Sequence, residues 1–406
     1  MIKEVRLVNY RKFLRETIHL EPITLFVGPN GSGKSTLASA LYTIATILRM
    51  GLDAAFPEGF YAFNNLIHFE AEKLGYRFAP IGLGISGSIN KFDFDYDIVF
   101  GRDSNSLSGY FIHYEGIKIK DEEFSCAYST GEHPRELKDL PTRTEENLWI
   151  PDVSHHPQRD CLFSQMDEAE MDAVVGGYLK EIRRYMQRMT KYQFSPTATR
   201  MGYEQYDSIG RQPFLKSDGA NLAEVVQFFQ EEQRGLFAHL KERIIEYARG
   251  ECNLVDIGVT TYEDKAYLIF YEEGKGKKTF PVRGPLLSDG YWVFAAFACL
   301  ASCEILPSIA FFEEPESFLH PHKLKTLYQV FEQMGKRETA PCQILISTHS
   351  PYFLSAFADN PDSVVVVNDG RTKKLNETEG YEDVISRYSL EENWFSNLCK
   401  KEEEDG

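Results

Sequence analysis

Between Ile23 and Leu41 a short apolar run breaks into the turn Gly28-Pro29-Asn30-Gly31-Ser32-Gly33 and resumes as Lys34-Ser35-Thr36 at the head of a helical pattern. Gly28, Gly33, Lys34 and Ser35 fill a G-x-x-x-x-G-K-[ST] template, with the strand before it and the helix after it that such a loop requires. Glycines let backbone N–H groups turn inward on a polyphosphate, and the N-terminus of the following helix adds partial positive charge. On this reading Asn30, Gly31, Ser32, Gly33, Lys34, Ser35 and Thr36 cradle a nucleotide. Lys34 reaches its β- and γ-phosphates, and Ser35 offers a hydroxyl to Mg²⁺, a hard cation that takes oxygen ligands.

Far along the chain, Ile309-Ala310-Phe311-Phe312 runs into two acids, Glu313 and Glu314. A buried strand of that kind ends at the sheet edge where ligands sit. One acid can hold Mg²⁺ through water while its neighbour orients or deprotonates an attacking water. A second apolar strand, Gln343 to Ser347, ends in Thr348-His349-Ser350, and His349 there could bond a terminal phosphate. Taken singly, the two acids also read as a solvated strand end and His349 as a structural histidine. Their order behind a phosphate loop points instead to Glu314 and His349 as catalytic and to Ser35 and Glu313 as metal-holding.

The elements that must position these residues follow from pattern. Residues 2–9 and 17–27 read as half-buried strands around Asn9-Tyr10-Arg11-Lys12-Phe13, and Thr36 to Met50 as a long apolar helix. From Ile81 to Glu123, strand-like segments (81–89, 92–100, 110–114, 117–119) alternate with Gly, Asn and Asp turns, the pattern of an antiparallel sheet. Ser125 to Arg159 is polar and proline-containing and reads as loop. Asp167 to Gly250 turns helical, with Leu222 to Arg249 as one amphipathic helix that Asn221 could cap. Leu254 to Val282 returns to strands with a turn at 272–277, and Ser363 to Val367 reads as a further sheet strand.

Composition narrows the class. With 406 residues, 43% hydrophobic and 26% charged, the chain is expected to be globular with a large core. No apolar run approaches the roughly 18 residues needed to span a bilayer, and Met-Ile-Lys-Glu-Val-Arg is no signal peptide, so a cytoplasmic protein with no membrane partner is expected. Seven scattered cysteines without a C-x-x-C argue against a disulfide framework or a zinc site. Cys299 and Cys303 read as buried small residues, and His155-His156 with Cys161 as a weak metal site. A net charge of −17 does not suggest a general nucleic-acid coat, since such proteins usually carry a basic surface. Any DNA contact must be local, and the basic stretch from Lys180 to Lys191, continuing to Lys216, reads equally as a DNA surface or as a solvated helix face.

Several of these segments together resemble the ABC-type ATPases of the RecF, SMC and Rad50 group, in particular the short prokaryotic AAA-family members. Asn9-Tyr10-Arg11-Lys12-Phe13 resembles their N-terminal element, Gly28 to Thr36 their Walker A, and Leu287-Ser288-Asp289-Gly290-Tyr291 their signature. Phe311 to Glu316 with Leu319-His320-Pro321 resembles Walker B and the D-loop, and Ser347 to Ser350 the switch-histidine loop. Tyr192-Gln193-Phe194-Ser195-Pro196 and Ser217 to Leu222 also resemble segments of the small members. The resemblance implies an α/β P-loop NTPase fold, an ABC ATPase head. Its parts would be a mixed sheet carrying the Walker strands, an antiparallel β lobe and a helical insert. The expected division is an N-terminal part of the head over 1–160, the insert over 161–250, and a C-terminal part over 251–406.

It also implies ATP and Mg²⁺ as cofactors, with Arg11 and Lys12 joining the loop in nucleotide binding. The heads would pair as a homodimer or higher oligomer, so that Ser288, Asp289 and Gly290 of one chain touch the nucleotide held by another. Three departures stand out. Glu313 replaces the usual Asp, Asp289 and Tyr291 replace Gly and Gln of transporter signatures, and the Q-loop glutamine is missing at its expected place, the first glutamine being Gln158. Asn64, Asn65 or His68 falls there instead.

Two function classes remain. One is a nucleotide-driven dimerisation switch controlling a separate effector, a nuclease or toxin, of the anti-phage or toxin-like kind. The other is a RecF-like DNA-repair ATPase that loads other proteins on DNA. The acidic charge and the aromatic pair in Leu390 to Phe395 favour the first, although that pair reads equally as packed on its own head. About 250 residues separate Ser35 from Ser288 without sustained heptads, which implies a head of RecF size and no long coiled-coil arm. With about 56 residues after Ser350, no nuclease domain of the chain's own is expected.

Overall fold

In a computed structural model that describes residues 1–56, 65–68, 80–90, 92–102, 110–119, 122–127, 173–204, 213–282, 287–337 and 341–378, the chain opens with an antiparallel pair, Ile2–Tyr10 (β1) and Phe13–His19 (β2). Ile23–Val27 (β3) leaves them for a second sheet and leads through the phosphate loop into Lys34–Met50 (α1). The run expected over 17–27 is thus two strands, and the helix begins at Lys34. Ile81–Ile89 (β4), Phe92–Arg102 (β5), Tyr110–Ile119 (β6) and Glu122–Ala127 (β7) extend the first sheet to six antiparallel strands in the order β2-β1-β4-β5-β6-β7. The antiparallel lobe therefore includes the N-terminus. Segments 110–114 and 117–119 are one strand, because Gly116 pairs within the ladder instead of breaking it.

Ala173–Gln187 (α2) is followed by Met189–Tyr192 (β8), which corrects the expectation of an all-helical stretch from 167 to 250. The short strand pairs in parallel with the strand carrying the acids, and four residues are too few for a period-2 pattern to emerge from the helical surroundings. Tyr203–Glu204 (β9) precedes Leu222–Glu232 (α3) and Arg234–Ala248 (α4). These two helices replace the single one expected, since Gln233 leaves helical geometry at φ −129°, ψ 61°. Asn221 sits at the N-cap but bonds no helix N–H; its side chain accepts from Lys216 N–H and donates to Glu224 and to the Phe214 carbonyl.

Leu254–Tyr262 (β10), Lys265–Glu273 (β11) and Thr279–Val282 (β12) form a small antiparallel sheet, with β9 on β11. Asp289–Ser302 (α5) then leads to Ile309–Glu313 (β13), Leu324–Gly335 (α6), Gln343–Thr348 (β14), Val364–Asn368 (β15) and Arg371–Lys374 (β16). The central sheet runs β16-β15-β3-β14-β13-β8, parallel except for β16.

The central strands are apolar on both faces, as parallel strands covered on both sides must be. Phe26, Phe311, Leu345 and Val365 join one core with α1 and the antiparallel sheet. Their neighbours Leu25, Phe312, Ile344 and Val366 join a second core with α3 to α6. Period-2 alternation thus divides the molecule into two layers on one sheet. Helix α5 is buried from Tyr291 to Ser302, which explains its apolar character on every side. Buried Gln343 stitches the two sheets, its amide donating to the carbonyls of Ile2 (2.7 Å) and Glu21 (3.2 Å) and accepting from Ile2 N–H (3.0 Å). Among the described residues no helix is long and apolar enough to cross a membrane. The expectations for 128–159, for His155, His156 and Cys161, and for 390–395 lie outside the described residues.

Candidate functional site

The C-terminal ends of β3, β14, β13 and β8 meet at one edge, and the chemistry collects there. The loop from Gly28 to Gly33 is held by contacts only glycine permits: a Cβ on Gly28 would lie 2.0 Å from the Val367 carbonyl oxygen. Gly33 (φ 120°) is pressed by Phe13, whose Cζ would sit 3.0 Å from an added Cβ. The expected contributors Arg11 and Lys12 form the tip of the β1–β2 hairpin beside this loop, with Lys12 Nζ 3.5 Å from Asp369 Oδ1. Gly370 N–H donates to the Ser32 carbonyl at 3.1 Å, so the β15–β16 turn braces the loop from the other side. Asn30 and Gly31 lie exposed on the loop, and Thr36 is buried in the first turn of α1.

Lys34 curls back and donates to the carbonyls of Gly28 (2.7 Å) and Pro29 (2.9 Å). Burial lowers its pKa despite the opposing pull of Glu314, Glu313 and Glu316, so an arriving anion would stabilise its charge. Helix α1 has no acidic residue in its first turn and no side-chain cap, which leaves its N-terminus suited to a phosphate. The Ser32 hydroxyl is buried with no hydrogen-bond partner among the described residues. An orphaned donor, a cationic amine and a glycine cradle fit a bound polyphosphate. The Ser35 hydroxyl and the Glu313 carboxylate, both oxygen donors in direct contact, fit a hard divalent cation.

Glu313 closes β13, accepting from Ser35 Oγ on one oxygen and from Lys191 Nζ, 2.5 Å away, on the other. Burial alone would raise its pKa. The bonds from Lys191 and Ser35, with the charges of Lys191 and Lys34, outweigh burial and hold the carboxyl below its ordinary value. Glu314 turns away from the strand at φ 46°, its N–H bonded to the Ser347 carbonyl at 2.8 Å. Its Oε1 lies 2.9 Å from His349 Nδ1, so the two expected catalytic side chains touch across the ends of β13 and β14. A half-exposed carboxylate held by an imidazole can accept a proton from a positioned water.

Behind them, buried Glu316 accepts from the Thr348 hydroxyl while its second oxygen has no partner among the described residues. Burial raises its pKa, so folding penalises the charged form, and its contribution to stability falls as pH rises through the raised value. Glu316→Gln keeps the carbonyl acceptor and has no charge to bury. Its stability relative to the parent should therefore improve from pH 4 to pH 8, measured as the difference in Tm at each pH.

The signature residues lie at the start of α5. Ser288 is the N-cap, Gly290 approaches the Phe318 carbonyl (3.0 Å from an added Cβ), and Asp289 pairs with Arg200 at 2.5 Å. Of the residues expected where the Q-loop would fall, one lies outside the described residues and two are placed. Asn64 lies outside the described residues; the segment from Asn65 to His68 pairs with the β1–β2 hairpin, where His68 N–H bonds the Asn9 carbonyl. Gln193 follows β8 directly and lines a narrow cleft with Phe194, Glu313, Glu314 and Phe318. Sequence reasoning names Gln193 only within a resembling segment and does not place it beside the acids, because the strand just before it reads as helix. Of the basic stretch, Lys191 turns to Glu313, Arg188 bonds the Leu306 carbonyl, Arg184 pairs with Glu181 on the same helix, and Arg200 holds Asp289.

A protein-family model described as "AAA domain, putative AbiEii toxin, Type IV TA system" matches residues 23–355, from the first residue of β3 to beyond the switch-histidine loop. The chain belongs to this family. The family span covers the phosphate loop, the signature, both acids and His349, and the P-loop ATPase head expected from the sequence is the fold observed. The structure is similar to the Smc head bound to the C-winged helix domain of ScpA (11% identity, TM-score 0.46, covering 92% of this chain and 97% of that one). It is also similar to the SMC head domain from Thermotoga maritima (12%, 0.41, 92% and 98%). A third is the Pyrococcus furiosus Smc head with an extended coiled coil bound to the C-terminal domain of ScpA (13%, 0.43, 95% and 99%). No curated protein matches the chain.

Proposed function

We propose that this AAA-family ATPase binds ATP with Mg²⁺ at residues 28–36, hydrolyses it between two paired heads, and uses the cycle to grip and release a separate effector protein. The observation that carries the reading is the convergence at one sheet edge of Lys34, the Ser35–Glu313 contact and the Glu314–His349 pair. Ser35 and Glu313 would hold the metal. When bound, Mg²⁺ supplies positive charge that offsets the phosphate oxygens.

The chain's own groups do the rest. Lys34 leaves its loop carbonyls for the terminal phosphates, Glu314 takes the proton of the attacking water, and His349 keeps Glu314 in place. Gln193, beside both acids, orients the water and the metal shell. Arg11 and Lys12 stand at the loop rim to add positive charge. Ser288, with the N–H groups of Asp289 and Gly290 at a helix N-terminus, supplies donors to a nucleotide on the facing head. The family description, which names a toxin system, supports the effector reading. The engagement of Lys191 and Arg188 within the head weighs against their use in a DNA-loading role.

Mixing two inactive variants tests the composite site. Lys34→Ala and Ser288→Arg chains should each lose turnover, and a mixture should regain part of it, since a mixed pair holds one site with Lys34 and Ser288 both intact. No recovery from a mixture that does form mixed pairs would exclude a site completed in trans. For the effector, a tagged Glu314→Gln chain recovered from its native cells with ATP should retain one protein that is lost when ATP is withheld. Retention equal in both conditions would remove nucleotide control from the proposal.

A further inference from the structure

Lys191 has no part in the chemistry assigned above, yet it touches the metal-holding acid. In the parallel pairing of β8 with β13, Lys191 stands opposite Phe311, two residues before Glu313. Residues two apart share a sheet face, so the lysine lies on the face of Phe311 and Glu313, the side covered by α1. From there its amine meets Glu313 Oε2 at 2.5 Å while Ser35 occupies Oε1. The longer side chain of glutamate, in place of the aspartate that the motif usually carries, gives the carboxylate the reach to meet both partners. The other nitrogen-bearing side chains nearby are engaged elsewhere: Lys34 on the carbonyls of Gly28 and Pro29, and His349 on Glu314. With Glu314 and Glu316 also close by in sequence, Lys191 is the cation in contact with Glu313 among the described residues.

Resting on the nucleotide-site reading, we propose that Lys191 is a resident counter-cation of the metal site. It holds the Glu313 carboxylate while the site is empty of metal, and it must release that carboxylate when the divalent cation of the nucleotide arrives. Lys191 is therefore a positioning residue that opposes metal loading and makes occupancy of the site depend on free divalent cation. A partly exposed ion pair is worth up to about 1 kcal/mol, and with 1.4 kcal/mol per tenfold its removal should tighten metal binding by up to about fivefold.

The test is an electron paramagnetic resonance titration of Mn²⁺ into the full chain saturated with a non-hydrolysable ATP analogue. Wild type is compared with Lys191→Met, Lys191→Gln and Lys191→Arg. Both neutral variants should bind Mn²⁺ several-fold more tightly than wild type, and Lys191→Arg, which keeps the charge, should stay close to wild type. A circular dichroism melt on each variant confirms that it is folded. Folded neutral variants with unchanged or weaker Mn²⁺ binding would overturn the role of Lys191 alone. If wild type shows no analogue-dependent Mn²⁺ binding, the nucleotide-site reading falls and takes this proposal with it.

Discussion

Lys34→Ala should abolish nucleotide binding at working concentrations. The lysine is almost wholly buried and already bonded to two loop carbonyls, so its amine is aimed into the concavity that the backbone forms. Burial depresses its pKa, which means that the folded protein holds the charge at a cost that an anion would relieve. Truncating one member of a buried charged pair typically costs about 2–5 kcal/mol, roughly thirtyfold to several-thousandfold in affinity. The loop is fixed independently by the contact of Gly28 with Val367 and by the Gly370–Ser32 bond, so the variant should fold. Titration with a fluorescent ATP analogue checks this. Equal affinity in wild type and variant would refute the assignment of residues 28–36.

Glu314→Gln should leave binding nearly intact and slow turnover by about 10²–10⁴, the contribution of a positioned general base. Glutamine has the shape of glutamate and can keep a bond to His349, so geometry is conserved while the ability to accept a proton is lost. The backbone at this position is in the left-handed region, and the substitution leaves it unchanged. Glu313 makes the contrast: it is tied to Ser35 and Lys191 and cannot serve as the base without leaving them. Single-turnover phosphate release with saturating ATP separates binding from chemistry. A Glu314→Gln chain that turns over at the parental rate would move the base elsewhere.

The parts of the site that sequence shows best are those set by backbone rules. The phosphate loop is legible because its spacing follows from turn geometry. β3, β13, β14 and β15 are legible because each is a short continuous apolar run bounded by polar or turn residues, the pattern of a strand buried on both faces. β8 is not, since Met189–Tyr192 is short and enclosed by helical sequence. Two consequences follow from that one omission. The sequence pattern does not place Gln193 beside Glu313 and Glu314, and Lys191 reads as one of a basic stretch, because charge counting does not show that register with Phe311 sends its amine to Glu313. The break at Gln233 escapes for a different reason: the apolar positions on either side keep the three-four spacing, and the backbone alone departs.

That ATP brings two of these heads together over a site that neither completes alone is tested most directly by size-exclusion chromatography with light scattering on Glu314→Gln. Its mass should double with MgATP, return to the ATP-free value when nucleotide is removed, and fail to double when Ser288→Arg is added. A mass that ignores ATP in a chain shown to bind it, or a doubling that survives Ser288→Arg, would contradict the paired-head mechanism.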